Sequence, residues 1–207
     1  MRGQFITVEG SEGVGKSSNL AYIEDFLRDA GIKILRTREP GGTSLGESVR
    51  ELLLDARQTA MCDDMELLLM FSARAQHLAE VILPALEAGQ WVLCDRFTDA
   101  TYAYQGGGRG VPIERIQLLE DWVQGELRPD HTLLLDMPVA DGLQRAGARS
   151  EPDRFEQEQH AFFERVRETY LARAKAEPGR IHVIDASPAL DVVQTNIANV
   201  LRQMLDS

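Results

Sequence analysis

Apolar positions along this chain alternate between two rhythms. Short β-branched or leucine-rich runs at residues 3–9, 32–38, 91–95, 131–136 and 180–184 read as buried strands. Between them apolar residues recur every three or four positions, which predicts helices over 16–30, 44–55, 64–88, 113–125, 138–146, 155–176 and 188–205. Such alternation implies an α/β fold, a five-stranded parallel sheet with helices on both faces, built as one domain over residues 1–207. Ligands of such sheets bind beyond the carboxyl ends of the strands. The informative positions are therefore Glu9-Gly10, Arg38-Glu39, Asp95-Arg96, Asp136 and Asp185. Two segments break the rhythm. The glycine-rich run from Gln105 to Gly110 reads as a flexible loop, and residues 146–154, with Gly147 and Pro152, as a short mobile lid.

The turn after the first strand carries a complete phosphate loop, Gly10-Ser11-Glu12-Gly13-Val14-Gly15-Lys16-Ser17. Phe5-Ile6-Thr7-Val8 precedes it as a strand, and Leu20, Ile23, Phe26 and Leu27 follow at helical spacing, which is the context the motif requires. Its glycines let successive N–H groups curl toward phosphate oxygens. Lys16 then reaches the β- and γ-phosphates, and the Ser17 hydroxyl can ligate Mg²⁺. The motif names a nucleotide polyphosphate as ligand. It does not choose among GTPase switches, motor ATPases and small-molecule kinases.

Composition narrows the choice. A net charge of -11 argues against a nucleic-acid surface, which needs clustered cations. Only Lys16, Lys33 and Lys175 are lysines among the 22 basic residues; the rest are arginines, suited to bidentate phosphate recognition. Cys62 and Cys94 have no metal or redox spacing and read as reduced thiols of a cytoplasmic protein, Cys94 inside a core strand. No run reaches membrane-spanning length, and Met1-Arg2-Gly3-Gln4 leads straight into the first strand, so neither a membrane span nor a signal peptide is expected.

With lysine at three positions only, the Asn-Lys-x-Asp element of guanine-specific switches has no place after a late strand. A kinase of a small acceptor remains. Arg38 and Arg96 each follow a strand and should face one cleft, where two cations suit an acceptor that already carries a phosphate. Asp95 ends its strand beside the phosphate loop, where it can hold Mg²⁺ through water, orient Lys16, or cap a helix.

Taken in order, these motifs resemble the thymidylate kinase family, in its bacterial form, along essentially the whole chain. Beyond the phosphate loop the matching pieces are Thr37-Arg38-Glu39-Pro40-Gly41-Gly42-Thr43, Leu69-Met70-Phe71-Ser72-Ala73-Arg74, Asp95-Arg96-Phe97 and Ala103-Tyr104-Gln105-Gly106. The resemblance implies a nucleoside monophosphate kinase fold, Mg²⁺, ATP as donor, dTMP as acceptor and dTDP as product on the route to dTTP. It implies that Arg38 and Arg96 hold the dTMP phosphate and that Arg50 joins them in the acceptor pocket. It further implies that Phe71 stacks on thymine, Arg74 donates to a thymine carbonyl, and Thr101 and Gln105 meet the polar edge of the base. By the same resemblance Tyr104 lies beside the sugar 2′-carbon and Glu12 near the 3′-OH. Residues 10–16 contain no arginine before Lys16, so the catalytic guanidinium is assigned to the lid, with Arg149 preferred over Arg145 and Arg154. A homodimer packed through helices is expected, with residues 65–70 as a candidate face, and the Glu39-Pro40 bond is expected to be cis. Other nucleoside monophosphate kinases, a deoxynucleoside kinase and a non-catalytic nucleotide sensor are the competing readings.

Overall fold

Every residue of β1 (Phe5–Glu9) is buried, as a strand with neighbours on both edges and helices on both faces must be. It is the central strand of a parallel five-stranded sheet in the computed structural model, which describes residues 2–58, 60–147 and 153–206. The other strands are β2 (Ile34–Arg38), β3 (Trp91–Asp95), β4 (His131–Asp136) and β5 (Ile181–Asp185), in the spatial order β2-β3-β1-β4-β5. In register, Val8 pairs with Asp95 and Arg38 with Asp95, so the first three strands end together. That edge gathers Glu9, Arg38 and Asp95.

Helices cover both faces. One layer is formed by α1 (Lys16–Asp29) and α9 (Leu190–Asp206), packed on Ile6, Val8, Leu133 and Leu135. Toward the cleft lie α2 (Ser44–Leu54) and α3 (Asp63–His77); α3 continues through a π-helical turn, Leu78–Ile82, into α4 (Leu83–Glu87). Thr43 caps α2 by accepting from the Gly46 N–H at 2.9 Å. Three acidic residues in the first turn of α3 complement its dipole. The remaining helices are α5 (Thr98–Thr101), α6 (Ile113–Gln124), α7 (Val139–Ala146) and α8 (His160–Ala176). Cys94 is buried, as expected, and Cys62 is exposed.

Two sequence expectations change. The run from Gln105 is not a flexible loop: α5 continues as a π-helix, Tyr102–Gly108, with Gln105, Gly106 and Gly108 buried. Its glycines answer to packing. A Cβ at Gly107 would meet Thr169 Oγ1 at 2.1 Å, and one at Gly108 the Phe162 ring at 2.4 Å, so only glycine lets α8 approach. The helix predicted over 155–176 begins at His160 instead. Before it, Asp153 Oδ1 accepts from the N–H groups of Phe155 and Glu156 and holds that stretch as a turn. Of the lid, residues 148–152, with Arg149, lie outside the described residues, whereas Arg154 is buried.

Candidate active site

The phosphate loop closes on itself. Gly10, Gly13 and Gly15 all adopt positive φ, and a Cβ at Gly13 would sit 1.8 Å from the Gly142 carbonyl oxygen. α1 opens with no side-chain cap, which leaves its first N–H groups free for an anion. Lys16 Nζ donates to the carbonyls of Gly10 and Ser11, each at 3.1 Å. Burial and then the Arg96 guanidinium lower the Lys16 pKa, against the carboxylates of Glu12, Asp95 and Glu9. Ser17 is exposed at the helix start, and Asp95 Oδ1 is buried without a hydrogen-bond partner. A buried, unpaired carboxylate oxygen near a free hydroxyl at the mouth of the loop fits a hard divalent cation.

Arg96 holds the centre of the cleft. Its φ of 67° is unusual for a residue with a side chain. The backbone is held there by the bond from Arg96 N–H to Val8 O at 3.0 Å and from Phe97 N–H to Glu9 Oε1 at 2.7 Å. The guanidinium then lies 4.6 Å from the Tyr104 ring centre and donates to Glu12 Oε1 at 2.7 Å. The Tyr104 hydroxyl donates to the same oxygen at 2.8 Å. Burial alone would raise Glu12, but Arg96, Lys16 and Tyr104 hold it down at about 2. Arg38 donates to Glu47 at 2.7 Å and remains half exposed, and Arg50 donates to the Pro40 carbonyl at 2.9 Å. Burial, Arg38 and Arg96 all lower Arg50. An anion in the cleft would relieve this crowding of Arg50 by two further cations. The Glu39–Pro40 bond is cis.

The inner end of the cleft is built for a flat polar edge. Arg74 is sandwiched between the Phe71 and Phe97 rings at 4.8 and 4.9 Å. Its Nε donates to Glu39 at 2.7 Å and its Nη2 to Thr101 at 3.0 Å, while Nη1 is buried without a partner. Gln105 Nε2 donates to Glu66 at 2.9 Å.

The cleft, about 330 Å³, brings together most of the residues singled out from sequence: Arg38, Arg50, Arg74, Asp95, Arg96, Thr101, Tyr104 and Gln105 line it with the phosphate loop. Phe71 does not. It is packed against Leu67, Tyr102, Val111 and Ile116, and Met70, four positions before Arg74, lines the cleft. Neighbouring helical residues point about 100° apart, and the apolar pattern of 67–71 does not say which one faces inward. Two lid arginines are committed elsewhere: Arg145 donates to the carbonyls of Ala186 and Ser187, and Arg154 to Leu53 O and Glu66. The sequence reading missed as supports Glu39 and Glu66, which hold Arg74 and Gln105, and Tyr170, whose hydroxyl donates to Glu9 at 2.8 Å and accepts from Arg96 Nη1 at 3.5 Å. Their signal would have been the arginines needing buried partners.

The phosphate loop and the arginines Arg38 and Arg96 thus meet at one sheet edge, with Glu12 of the loop tied to Arg96. Fold and cleft together define a P-loop nucleoside monophosphate kinase. The family model for thymidylate kinase matches residues 8–197. Thymidylate kinase of Pseudomonas savastanoi is 60% identical over 206 residues, covering 100% of this chain and 98% of that one. The enzyme of Methylococcus capsulatus is 59% identical over 203 residues, covering 98% and 97%. The crystal structure of thymidylate kinase from Ehrlichia chaffeensis superposes with a TM-score of 0.79 at 33% identity, covering 98% of this chain and 99% of that chain. The chain belongs to the thymidylate kinase family.

Proposed function

We propose that this protein transfers the γ-phosphoryl group of ATP to dTMP, giving dTDP. The observation that carries the proposal is the cluster of three arginines, Arg38, Arg50 and Arg96, lining one cleft with a complete phosphate loop. Lys16 exchanges the carbonyls of Gly10 and Ser11 for donor phosphate oxygens, while the three arginines hold the dTMP phosphate. The attacking oxygen is already ionised, so catalysis consists of positioning and charge stabilisation. Tyr104, beneath Arg96, faces the sugar and disfavours a ribose 2′-OH; Glu12 meets the 3′-OH. Thymine lies against Met70, Arg74, Thr101 and Gln105.

Ser17 and Asp95 are the residues that would hold Mg²⁺, directly or through water. When bound it neutralises charge between the β- and γ-phosphates. Arg149 is the lid arginine we assign to the transferred phosphoryl, since Arg145 and Arg154 are otherwise engaged. The test is formation of dTDP from dTMP and ATP, and its loss on chelation of Mg²⁺.

A homodimer fits an apolar face left bare by the fold. Met65 and Leu68 of α3 and Leu118 and Trp122 of α6 are exposed, Trp122 at 81%. Of the stretch 65–70, Leu67 faces the core, so only part of it serves that face. Light scattering should give twice the chain mass, and Trp122→Ala should shift it toward monomer. We place the enzyme in the cytoplasm; cell fractionation tests this. No helix among the described residues is long and apolar enough to cross a membrane.

A further inference from the structure

A glutamine can offer a base either an N–H donor or an oxygen acceptor, and a half-turn of its amide exchanges them. Thymine presents a carbonyl acceptor at C4 and an N–H donor at N3. Cytosine presents the reverse, an amino donor at C4 and a lone pair at N3. A glutamine free to turn would serve both bases. Discrimination therefore depends on what holds the amide.

In this cleft the holder is Glu66, on the first turn of α3 and 1% exposed. Its carboxylate accepts from Gln105 Nε2 at 2.9 Å, from Arg109 Nε at 3.3 Å and from Arg154 Nη1 at 2.7 Å. Bound by two guanidiniums, it accepts and does not donate. Turning Gln105 over would set its Oε1 against a buried carboxylate oxygen, an electrostatic clash that burial strengthens. The amide nitrogen is tied back and Oε1 is left to the cleft; among the described residues no donor reaches it. Arg74 is fixed in the same manner. Glu39 takes its Nε and Thr101 its Nη2, which leaves Nη1 as a buried, unpaired donor. One acceptor and one donor, both locked, are the complement of N3–H and C4=O.

We propose that Glu66 is a positioning residue for base selection: by fixing the amide of Gln105 it makes the cleft accept thymine and reject cytosine without touching the substrate. The inference rests on the reading that the thymine edge lies against Gln105 and Arg74. Arg109 is itself held by Glu158 and lies over the Phe155 and Phe162 rings, so the selecting carboxylate is braced from α8 and from the segment after the lid.

The test is the ratio of kcat/KM for dTMP to that for dCMP in wild type, Glu66→Gln, Gln105→Leu and the double variant. Glu66→Gln, which allows either amide orientation, should lower the ratio at least ~10-fold, with the dTMP loss in KM more than in kcat. In the Gln105→Leu background, where no amide is left to orient, Glu66→Gln should leave the ratio unchanged. A merely structural role would lower stability in both backgrounds and leave the ratio alone. Should Glu66→Gln fail to fold, the wild-type protein still decides by NMR. The Gln105 side-chain NH₂ should stay protected from exchange with and without dTMP, and an exchanging NH₂ would overturn the proposal. If Gln105→Leu itself leaves the ratio at the wild-type value, the assumed pose of the base is wrong. If Gln105→Leu lowers it and Glu66→Gln does not, the pose stands and the role of Glu66 is refuted.

Discussion

Arg96 Nη2 lies 2.7 Å from Glu12 Oε1, so the arginine that follows β3 is tied to the phosphate loop after β1. Arg96→Ala therefore removes a proposed phosphate ligand and takes from Glu12 its guanidinium partner, leaving that oxygen the Tyr104 hydroxyl. We expect kcat/KM for dTMP to fall ~100-fold or more, from the loss of charge-assisted hydrogen bonds. Steady-state kinetics with varied dTMP checks this, and unchanged kinetics would remove Arg96 from the acceptor site. Glu12, held at about 2, stays ionised far into acid. Its contribution to stability is whole above its ordinary value of about 4.5 and is lost as pH falls toward 2.

Met70 and Phe71 are neighbours in different surroundings, Met70 lining the cleft and Phe71 packed in the core. Met70→Ala should raise the dTMP dissociation constant ~10-fold through lost apolar contact, with little change in melting temperature. Phe71→Ala should destabilise the fold by ~3–5 kcal/mol, as denaturant titration would show. If Phe71→Leu, which keeps most of the core volume, weakens dTMP more than Met70→Ala does, the base stacks on Phe71 after all.

Arg149→Ala should lower kcat ~10³-fold while the dissociation constants of ATP and dTMP stay near wild type. Single-turnover rates with separate binding measurements divide these effects. A normal kcat would return the catalytic charge to another residue.

His131 and His182 lie on adjacent strands, β4 and β5, with Nδ1 and Nε2 3.3 Å apart. Burial lowers both; Asp130 opposes this at His131, and His131 adds to it at His182. In the unfolded chain both take protons near their ordinary value of about 6.5, so below it the unfolded state binds more protons. Their contribution is thus complete above pH 6.5 and declines as pH falls below it. Melting temperatures from pH 8 to pH 5 should drop less steeply in His182→Gln than in wild type. Parallel curves would refute this.

The sheet was legible because its strands are apolar runs bounded by turns, and Ile34–Arg38, Trp91–Asp95 and His131–Asp136 begin and end within two residues of their predicted bounds. The strand-end residues Arg38, Asp95 and Arg96 were legible for the same reason, since parallel topology sends strand ends to one edge. Helical facing was less so. Whether Met70 or Phe71 meets the cleft depends on about 100° of rotation that a wholly apolar stretch does not record. The glycines of 106–108 looked like a loop because local sequence cannot distinguish glycine needed for a turn from glycine needed for close packing against Phe162 and Thr169. Glu66 escaped notice because it is a lone acid whose partners, Arg109 and Arg154, lie 43 and 88 positions further along the chain.

The central claim is that this cleft holds a nucleotide acceptor by its phosphate and a thymine by its polar edge. Its most direct test is ATP-dependent phosphorylation by the purified protein of dTMP, dUMP, UMP, AMP and thymidine, measured side by side. The account predicts the highest kcat/KM for dTMP and no turnover of thymidine, which lacks the phosphate that Arg38, Arg50 and Arg96 require. Turnover of thymidine at a rate matching dTMP, or a preference for AMP, would contradict it.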